Sequence, residues 1–199
     1  MSVRFKYFVF LVLAFYKVNS QGVYPSTTFI NTSYHGKDCF ANDNAANLFY
    51  NEQNHELTVV IDFKTCKVGH DSIDEWLDDL ETTKLYFKGV VNTEKLLTLT
   101  NGNSKTYIIN GKIKLNDVVV NQSVEITFYE ISKEGMLYRN TGNDYYDRIR
   151  ANFQVKIDPK DFKIDIKEHH LKSKISVSVG SGFINQIKPG MEAWVNDGF

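Results

Sequence analysis

The sequence lacks the short motifs that indicate catalysis or nucleotide binding. It contains no glycine-rich phosphate loop, no G-x-S-x-G elbow, no H-E-x-x-H and no C-x-x-C pair. Its one histidine cluster is Glu168-His169-His170, and adjacent residues of an extended chain point to opposite faces, which disfavours a shared metal ion. We therefore predict a protein that is not an enzyme, with no catalytic residues, no cofactor and no metal site.

Cysteine is scarce as well. Cys39 and Cys66 are the two cysteines of the chain, so at most one intramolecular disulfide can form. An oxidising compartment would permit that bond, but sequence does not establish its geometry. Two separate buried thiols are the alternative, because free cysteine often packs as a small apolar residue.

Long hydrophobic runs are absent. The longest near the start, Tyr7 to Tyr16, has ten residues and would span ~15 Å as a helix, about half of a ~30 Å hydrocarbon core. Arg4 and Lys6 precede it, and Val18-Asn19-Ser20 follows, which is the order of a cleavable secretory signal. We predict a signal peptide at residues 1–20, a mature domain at 21–199, no stable membrane span, and a periplasmic or secreted location.

The mature domain has no long basic block. Cleavage after residue 20 would remove Arg4, Lys6 and Lys17, leaving 20 of the 23 basic residues against 24 acidic ones, a net charge of −4. Such a chain has no electrostatic footprint for nucleic acid, which we exclude as a partner.

What the sequence does contain is alternation of apolar and polar residues. It is cleanest from Arg148 to Ile157, and it also runs from Tyr107 to Leu115 and from Val124 to Tyr129, on either side of the polar pair Asn116-Asp117. Period-2 alternation directs one set of side chains into an apolar interior, and two such runs around a polar turn indicate an antiparallel hairpin. A lone hairpin cannot bury its apolar face, so other strands must cover it.

Other segments supply those strands. We predict a turn at Asn42–Asn44, a long connection from Ile131 to Asp147, and a tail from Gly180 that packs across an opening or an edge. The predicted strands lie around Phe29-Ile30, Ala45–Tyr50, Leu57–Phe63, Thr83–Phe87, Leu97–Leu99, Ile149–Ile157 and Ile175–Val179.

One segment has helical spacing. Ile73, Trp76, Leu77 and Leu80 form a single apolar stripe, and Ser72 begins a capping box. The acidic residues on the rest of this helix lack the ligand spacing of a calcium loop, so we interpret them as a solvated face. We expect the short helix to cap one end of a β structure, with Trp76 over the core.

About eight strands and one short helix predict an all-β domain, either a single antiparallel barrel or a sandwich. Closure is favoured because it removes exposed strand edges. An eight-stranded barrel is wide enough to be filled by its own side chains or to hold one elongated ligand. Periodicity does not separate these two interiors.

In this order the segments resemble the YceI-like family, exported lipocalin-like barrels associated with polyisoprenoid lipids. Gly111-Lys112-Ile113-Lys114-Leu115 followed by Val124-Glu125-Ile126 is similar to the family's central hairpin. Ile157-Asp158-Pro159-Lys160-Asp161-Phe162 is similar to its late Ile-Asn-Arg-x-Asp-Phe segment. Two features depart from the family: Asn116-Asp117 replaces its His-Gly turn, and the Ile73–Leu80 helix is shorter than its counterpart.

The resemblance implies a lipocalin-like barrel that binds an apolar, isoprenoid-like lipid; whether such a barrel forms a homodimer is left open. The alternative is a secreted interaction or stress-response barrel whose core is filled by its own side chains. A third class, a barrel-type hydrolase or cyclase, would need convergent polar groups inside; the candidates are Asn110, Asn152 and the histidines, and the two asparagines fall on the outward phase. If the interior is a ligand tunnel, the inward phase of the strands predicts its lining: Ile113, Leu115, Ile126, Phe128, Phe153, Val155 and Val177.

Overall fold

Eight β-strands form a closed barrel in which each strand pairs with the next and β8 returns to β1. The structure, a computed structural model, describes residues 26–34, 37–65, 71, 74–75, 83–92, 103–130, 149–164 and 175–186. The strands are β1 (Ser26–Tyr34), β2 (Lys37–Asn51), β3 (Glu56–Asp62), β4 (Lys84–Val90), β5 (Ser104–Leu115), β6 (Val118–Glu130), β7 (Ile149–Ile157) and β8 (Ile175–Gln186). The predicted closed antiparallel barrel of about eight strands is confirmed.

The β5–β6 hairpin has the longest ladder of the barrel and turns at the predicted residues. Leu115 pairs with Val118 across Asn116 and Asp117, whose φ angles are 49° and 57°. Two consecutive left-handed residues define the turn geometry that matches the twist of a hairpin, and Asn and Asp tolerate it better than most residues. Lys114 Nζ lies 3.0 Å from Asp117 Oδ1 on the exposed side of this turn.

β7 shows the strict alternation that the sequence predicts and stops where Asp158-Pro159 follows it. From Ala151 to Ile157 every second side chain is buried. The Asp158 side chain then accepts a hydrogen bond from the Lys160 N–H and caps a short 3-10 turn, Pro159–Phe162. Phe162 and Ile164 are both buried against the barrel.

The turn predicted at Asn42–Asn44 is wrong, because β2 runs through these residues without a break. Ser26 pairs with Ala46 but Thr28 pairs with Asp43, so the ladder between β1 and β2 shifts by one residue here. A β-bulge accommodates turn-forming residues inside a strand, since the extra residue leaves the regular pairing. Composition alone does not distinguish such a bulge from a turn.

The tail predicted to begin at Gly180 is also wrong over its first residues, because β8 continues to Gln186. A second register shift lies between the Ala151 and Phe153 rungs of the β7–β8 ladder, and Leu48–Tyr50 of β2 then pair in parallel with Ile184–Gln186. A Cβ on Gly182 would lie 2.7 Å from Leu48 Cδ1, so glycine permits the close approach of β8 to β2.

Several sequence-based predictions fall outside the described residues. Asp71, Asp74 and Glu75 have helical backbone, but Ile73, Trp76, Leu77 and Leu80 are not among the described residues. The same holds for Leu97–Leu99, for Ile131–Asp147, for Cys66 and for the side chain of Cys39. Within the described ranges, no helix is long and apolar enough to cross a membrane.

The two ends of the barrel are named here by their turns. The Asn116 end carries the β5–β6 turn and the 3-10 turn Pro159–Phe162. The His55 end carries the β2–β3 turn, where His55 has a φ of 58°. Between them lies one hydrophobic cluster to which all eight strands contribute, so the core of the protein is the lumen of the barrel.

Candidate ligand-binding lumen

The structure places all seven residues of the predicted lining on the inner wall of the barrel. Each is buried, with exposed fractions from 0 to 3 %, and each belongs to the single core cluster. They come from the four strands β5, β6, β7 and β8: Ile113, Leu115, Ile126, Phe128, Phe153, Val155 and Val177. That a ligand contacts them stays a prediction.

The other half of the wall was not included in that lining. β3 contributes Leu57, Val59 and Ile61, and β4 contributes Leu85 and Phe87, all with an exposed fraction of 0 %. The signal was present in the sequence, since both strands alternate in the same way as β7. The wall of the lumen therefore includes apolar side chains from these strands as well.

Two phenylalanines meet inside the lumen. Phe87 on β4 and Phe153 on β7 stand three strands apart around the wall, yet their ring centroids are 5.5 Å apart with the planes tilted by 48°. Tyr107 and Phe128 form a second tilted pair, with centroids 6.1 Å apart. Aromatic rings at these separations attract each other beyond their burial alone. At the level of Phe87 and Phe153 the lumen is thus bridged by the protein's own side chains.

The Phe87 ring lies over two glycines. Gly89 and Gly111 face each other on the last rung of the β4–β5 ladder. A Cβ on Gly89 would lie 2.7 Å from Phe87 Cζ, and a Cβ on Gly111 would collide with Lys88 O and with the same ring. The missing side chains provide the space in which Phe87 reaches across the lumen.

Beyond that rung, β4 and β5 separate toward the His55 end. A depression of about 230 Å³ lies between them, and it is bordered by Val90, Val91 and residues Tyr107–Asn110 of β5. Val90 and Ile108 are exposed by 70 % and 76 %. Two large apolar side chains thus flank this part of the wall in solvent.

Polar side chains enter the described wall of the lumen mainly toward the His55 end. Tyr50 is fully buried; its hydroxyl donates to Val91 O at 3.0 Å and lies 3.4 Å from His55 Nδ1. Glu130, on the inward phase at the end of β6, is also buried. On β1, Ser26 and Thr28 are buried and alternate with the outward Phe29, which is 44 % exposed.

Part of the outer face of β2, β3 and β4 is buried as well as the inner face. Phe49, Thr58, Val60 and Tyr86 point away from the lumen, and their exposed fractions range from 0 to 9 %. This double burial explains why Val60 interrupts the apolar–polar alternation of β3. A strand covered on both faces does not need a polar face.

Asn110 on β5 and Asn152 on β7 point away from the lumen. Asn110 and Asn152 are exposed, and Asn110 Oδ1 accepts a hydrogen bond of 2.6 Å from the Ser123 hydroxyl. His169 and His170 are not among the described residues. In the described part of the chain, no group of three or more His, Cys, Asp or Glu side chains is placed to hold a metal ion.

The closed eight-stranded barrel with an apolar lumen places the chain among lipocalin-like barrels. Its fold is similar to that of a polyisoprenoid-binding domain from Saccharophagus degradans implicated in plant cell wall breakdown. That match has a TM-score of 0.57 and 14 % identity, and it covers 79 % of this chain and 96 % of the other. Burkholderia cenocepacia BcnA is also similar, with a TM-score of 0.51 and 9 % identity, covering 77 % of this chain and 93 % of BcnA.

No family model and no curated protein matches the sequence. The similarity to the polyisoprenoid-binding domain confirms the predicted resemblance to the YceI-like family at the level of the fold.

Proposed function

We propose that the protein is an exported, non-catalytic barrel that binds an apolar lipid of the polyisoprenoid type in its lumen. The observation that supports this proposal most directly is the wall of the lumen, a closed ring of strands whose inward side chains are almost all aliphatic or aromatic. Burying such a surface against a hydrocarbon chain is favourable by about 25 cal/mol per Å². The similarity of fold to a polyisoprenoid-binding domain supports the choice of ligand class.

The absence of catalysis is part of the proposal. Catalysis needs polar groups that converge on a reacting atom. The described lumen wall carries few buried polar side chains: Ser26 and Thr28 on β1, Tyr50 on β2 and Glu130 on β6. The hydroxyl of Tyr50 already donates to Val91 O.

A barrel filled by its own side chains is the second candidate. The contact between Phe87 and Phe153 favours it, because the two rings occupy the space that a straight ligand chain would need. The two candidates make different predictions for a substitution that places a larger side chain on the inner wall. In a ligand-filled lumen a larger side chain displaces lipid, whereas in a filled core it strains the packing and costs about 1–3 kcal/mol.

Native mass spectrometry with lipid extraction tests the proposal. Purified wild-type protein should carry an adduct, and its extract should contain a polyisoprenoid. Val155→Phe, on the inner wall, should remain folded and lose the adduct. Gln154→Phe places the same ring on the exposed face of β7 and should keep it. Wild-type protein at its bare mass with no extractable lipid, together with a destabilised Val155→Phe variant, would favour the self-filled barrel.

Export is proposed on the N-terminal sequence alone. A short apolar run after two basic residues is removed when a chain is secreted. We expect mature protein from its own host to begin at or near Gln21. N-terminal sequencing that finds Met1 retained on exported material would contradict the proposed cleavage.

A further inference from the structure

One hydroxyl group on the lumen wall has no partner. Thr28 has an exposed fraction of 0 %, and its Oγ1 makes no hydrogen bond within the described protein. A buried polar atom left unpaired loses its bonds to water without replacement. Such a group is expected where a bound molecule supplies the missing partner.

The position of Thr28 directs it into the barrel. Its neighbour Phe29 points outward, while Ile30 belongs to the core cluster, so Thr28 shares the inward phase of β1. Thr28 pairs with Val179, and Val179 pairs with Phe153 across β8 and β7. Val179 and Phe153 are both buried core residues, which places Thr28 on the same inner wall.

The other buried oxygens without partners lie elsewhere. Among the described residues these are Asn47 Oδ1, Thr58 Oγ1 and Asn116 Oδ1. Asn47 and Thr58 have the outward phase of β2 and β3, and Asn116 is in the β5–β6 turn. Within the described part of the barrel, Thr28 is therefore the unpartnered hydroxyl on the apolar inner wall.

We propose that Thr28 Oγ1 is the polar recognition point of the lumen and hydrogen-bonds to an oxygen carried by the lipid. The ligand class is then an isoprenoid chain with a hydroxyl group rather than a pure hydrocarbon. This inference rests on the proposed lipid-binding function. A site with a buried hydrogen-bonding group discriminates strongly against an analogue that lacks the matching group.

The neighbours of Thr28 also orient the ligand. Along β1, Ser26 lies on its His55 side and Ile30 on its Asn116 side. Toward the Asn116 end the described wall is apolar, with Ile113, Leu115 and Val177 fully or almost fully buried. The oxygenated end of the lipid therefore faces the His55 end, and its hydrocarbon chain extends toward the Asn116 end.

The test compares two probes of similar chain, farnesol and farnesene, on delipidated protein. Wild type should bind farnesol more tightly than farnesene by about tenfold, the worth of one satisfied buried hydrogen bond. Thr28→Val keeps the shape but removes the hydroxyl, so farnesol affinity should fall to that of farnesene while farnesene affinity is unchanged. Thr28→Ser should retain the preference.

Two controls separate the outcomes. Thr127→Val removes a hydroxyl from the exposed pair Thr106–Thr127 and should change neither affinity. The melting temperature of Thr28→Val without ligand should equal or exceed that of wild type, because the lost hydroxyl had no partner. Equal binding of both probes by wild type and Thr28→Val would overturn the role of Thr28 and leave the lipid-binding proposal standing. Binding of neither probe by any variant would overturn both.

Discussion

Gly111 shows how a single missing side chain determines the interior of this barrel. It lies opposite Gly89, and the Phe87 ring covers both. Glycine normally weakens a strand because it adds backbone entropy to the unfolded chain and offers no side chain to pack. Here it admits an aromatic ring to the centre of the lumen, where Phe87 reaches Phe153.

We expect Gly111→Ala to lower the free energy of unfolding by about 1–3 kcal/mol, the usual cost of overpacking. The added Cβ would meet the backbone oxygen of Lys88, which cannot rotate away as a side chain can. Chemical denaturation measures the loss.

Gly180→Ala is the matched control for this substitution. Its Cβ would meet only the Phe29 ring, at 3.1 Å, and this 44 % exposed side chain can shift more readily than a backbone oxygen. The control should change stability by less than about 1 kcal/mol. Equal losses in the two variants would show that Gly111 has no special packing role.

At the scale of the elements, the β5–β6 turn depends on two residues in the left-handed conformation. A β-branched side chain at such a position is strained by about 1–2 kcal/mol. Asp117, with φ of 57°, also pairs with Lys114 on the surface, so strain and charge must be separated.

Two variants separate these effects. We expect Asp117→Val to lower the free energy of unfolding by about 1–2 kcal/mol. Lys114→Ala removes the same ion pair without backbone strain and should cost less than about 1 kcal/mol, since exposed ion pairs contribute little. If urea denaturation gave the same loss for both, the ion pair rather than the backbone would stabilise the turn.

The elements that were predictable from the sequence are those whose local pattern and tertiary role agree. β7 alternates strictly and is buried on one face, so its period alone identifies both the strand and its inward residues. The Asn116-Asp117 turn was predictable for the same reason, because two polar residues separate two alternating runs.

The elements that were missed depend on distant partners. Asn42 and Asn44 read as a turn, yet β2 continues through them because β1 holds the strand in register across a bulge. Gly180 and Gly182 read as the start of a tail, yet β8 continues because β7 still pairs with it and β2 then accepts it in parallel beyond Ser26, where β1 begins. No local pattern encodes that closure, and none separates a filled lumen from one that holds a ligand.

At the scale of the whole molecule, the closed barrel satisfies two demands together. Pairing of β1 with β8 removes the exposed edges that an open sheet would present, and the closed wall encloses one continuous apolar core. A continuous core inside a ring of strands can be completed by side chains or by a ligand without changing the fold. The function of the protein therefore depends on what occupies the lumen.

Phe128 distinguishes these two occupants most directly. Its ring is fully buried on β6 and lies beside Tyr107, with centroids 6.1 Å apart. If the lumen is filled by side chains, Phe128→Ala leaves a cavity and lowers the free energy of unfolding by about 3–5 kcal/mol. If one side of the ring touches lipid, the delipidated variant should lose less than this, because part of the packing surface is already unfilled in delipidated wild type.

The proposed lipid-binding function predicts the second result, together with a loss of lipid affinity because apolar contact area is removed. Stability and lipid retention are therefore measured on the same Phe128→Ala preparations, before and after delipidation. Thr127→Ala, the neighbouring residue on the outward phase of β6, should change lipid retention in neither state. If the variant loses the full ~3–5 kcal/mol and the protein retains no lipid, the lipid-binding proposal is contradicted and a barrel filled by its own side chains is favoured. A modest cost with reduced lipid retention would support the lumen as a binding site, since only a ligand in contact with the ring links the two measurements.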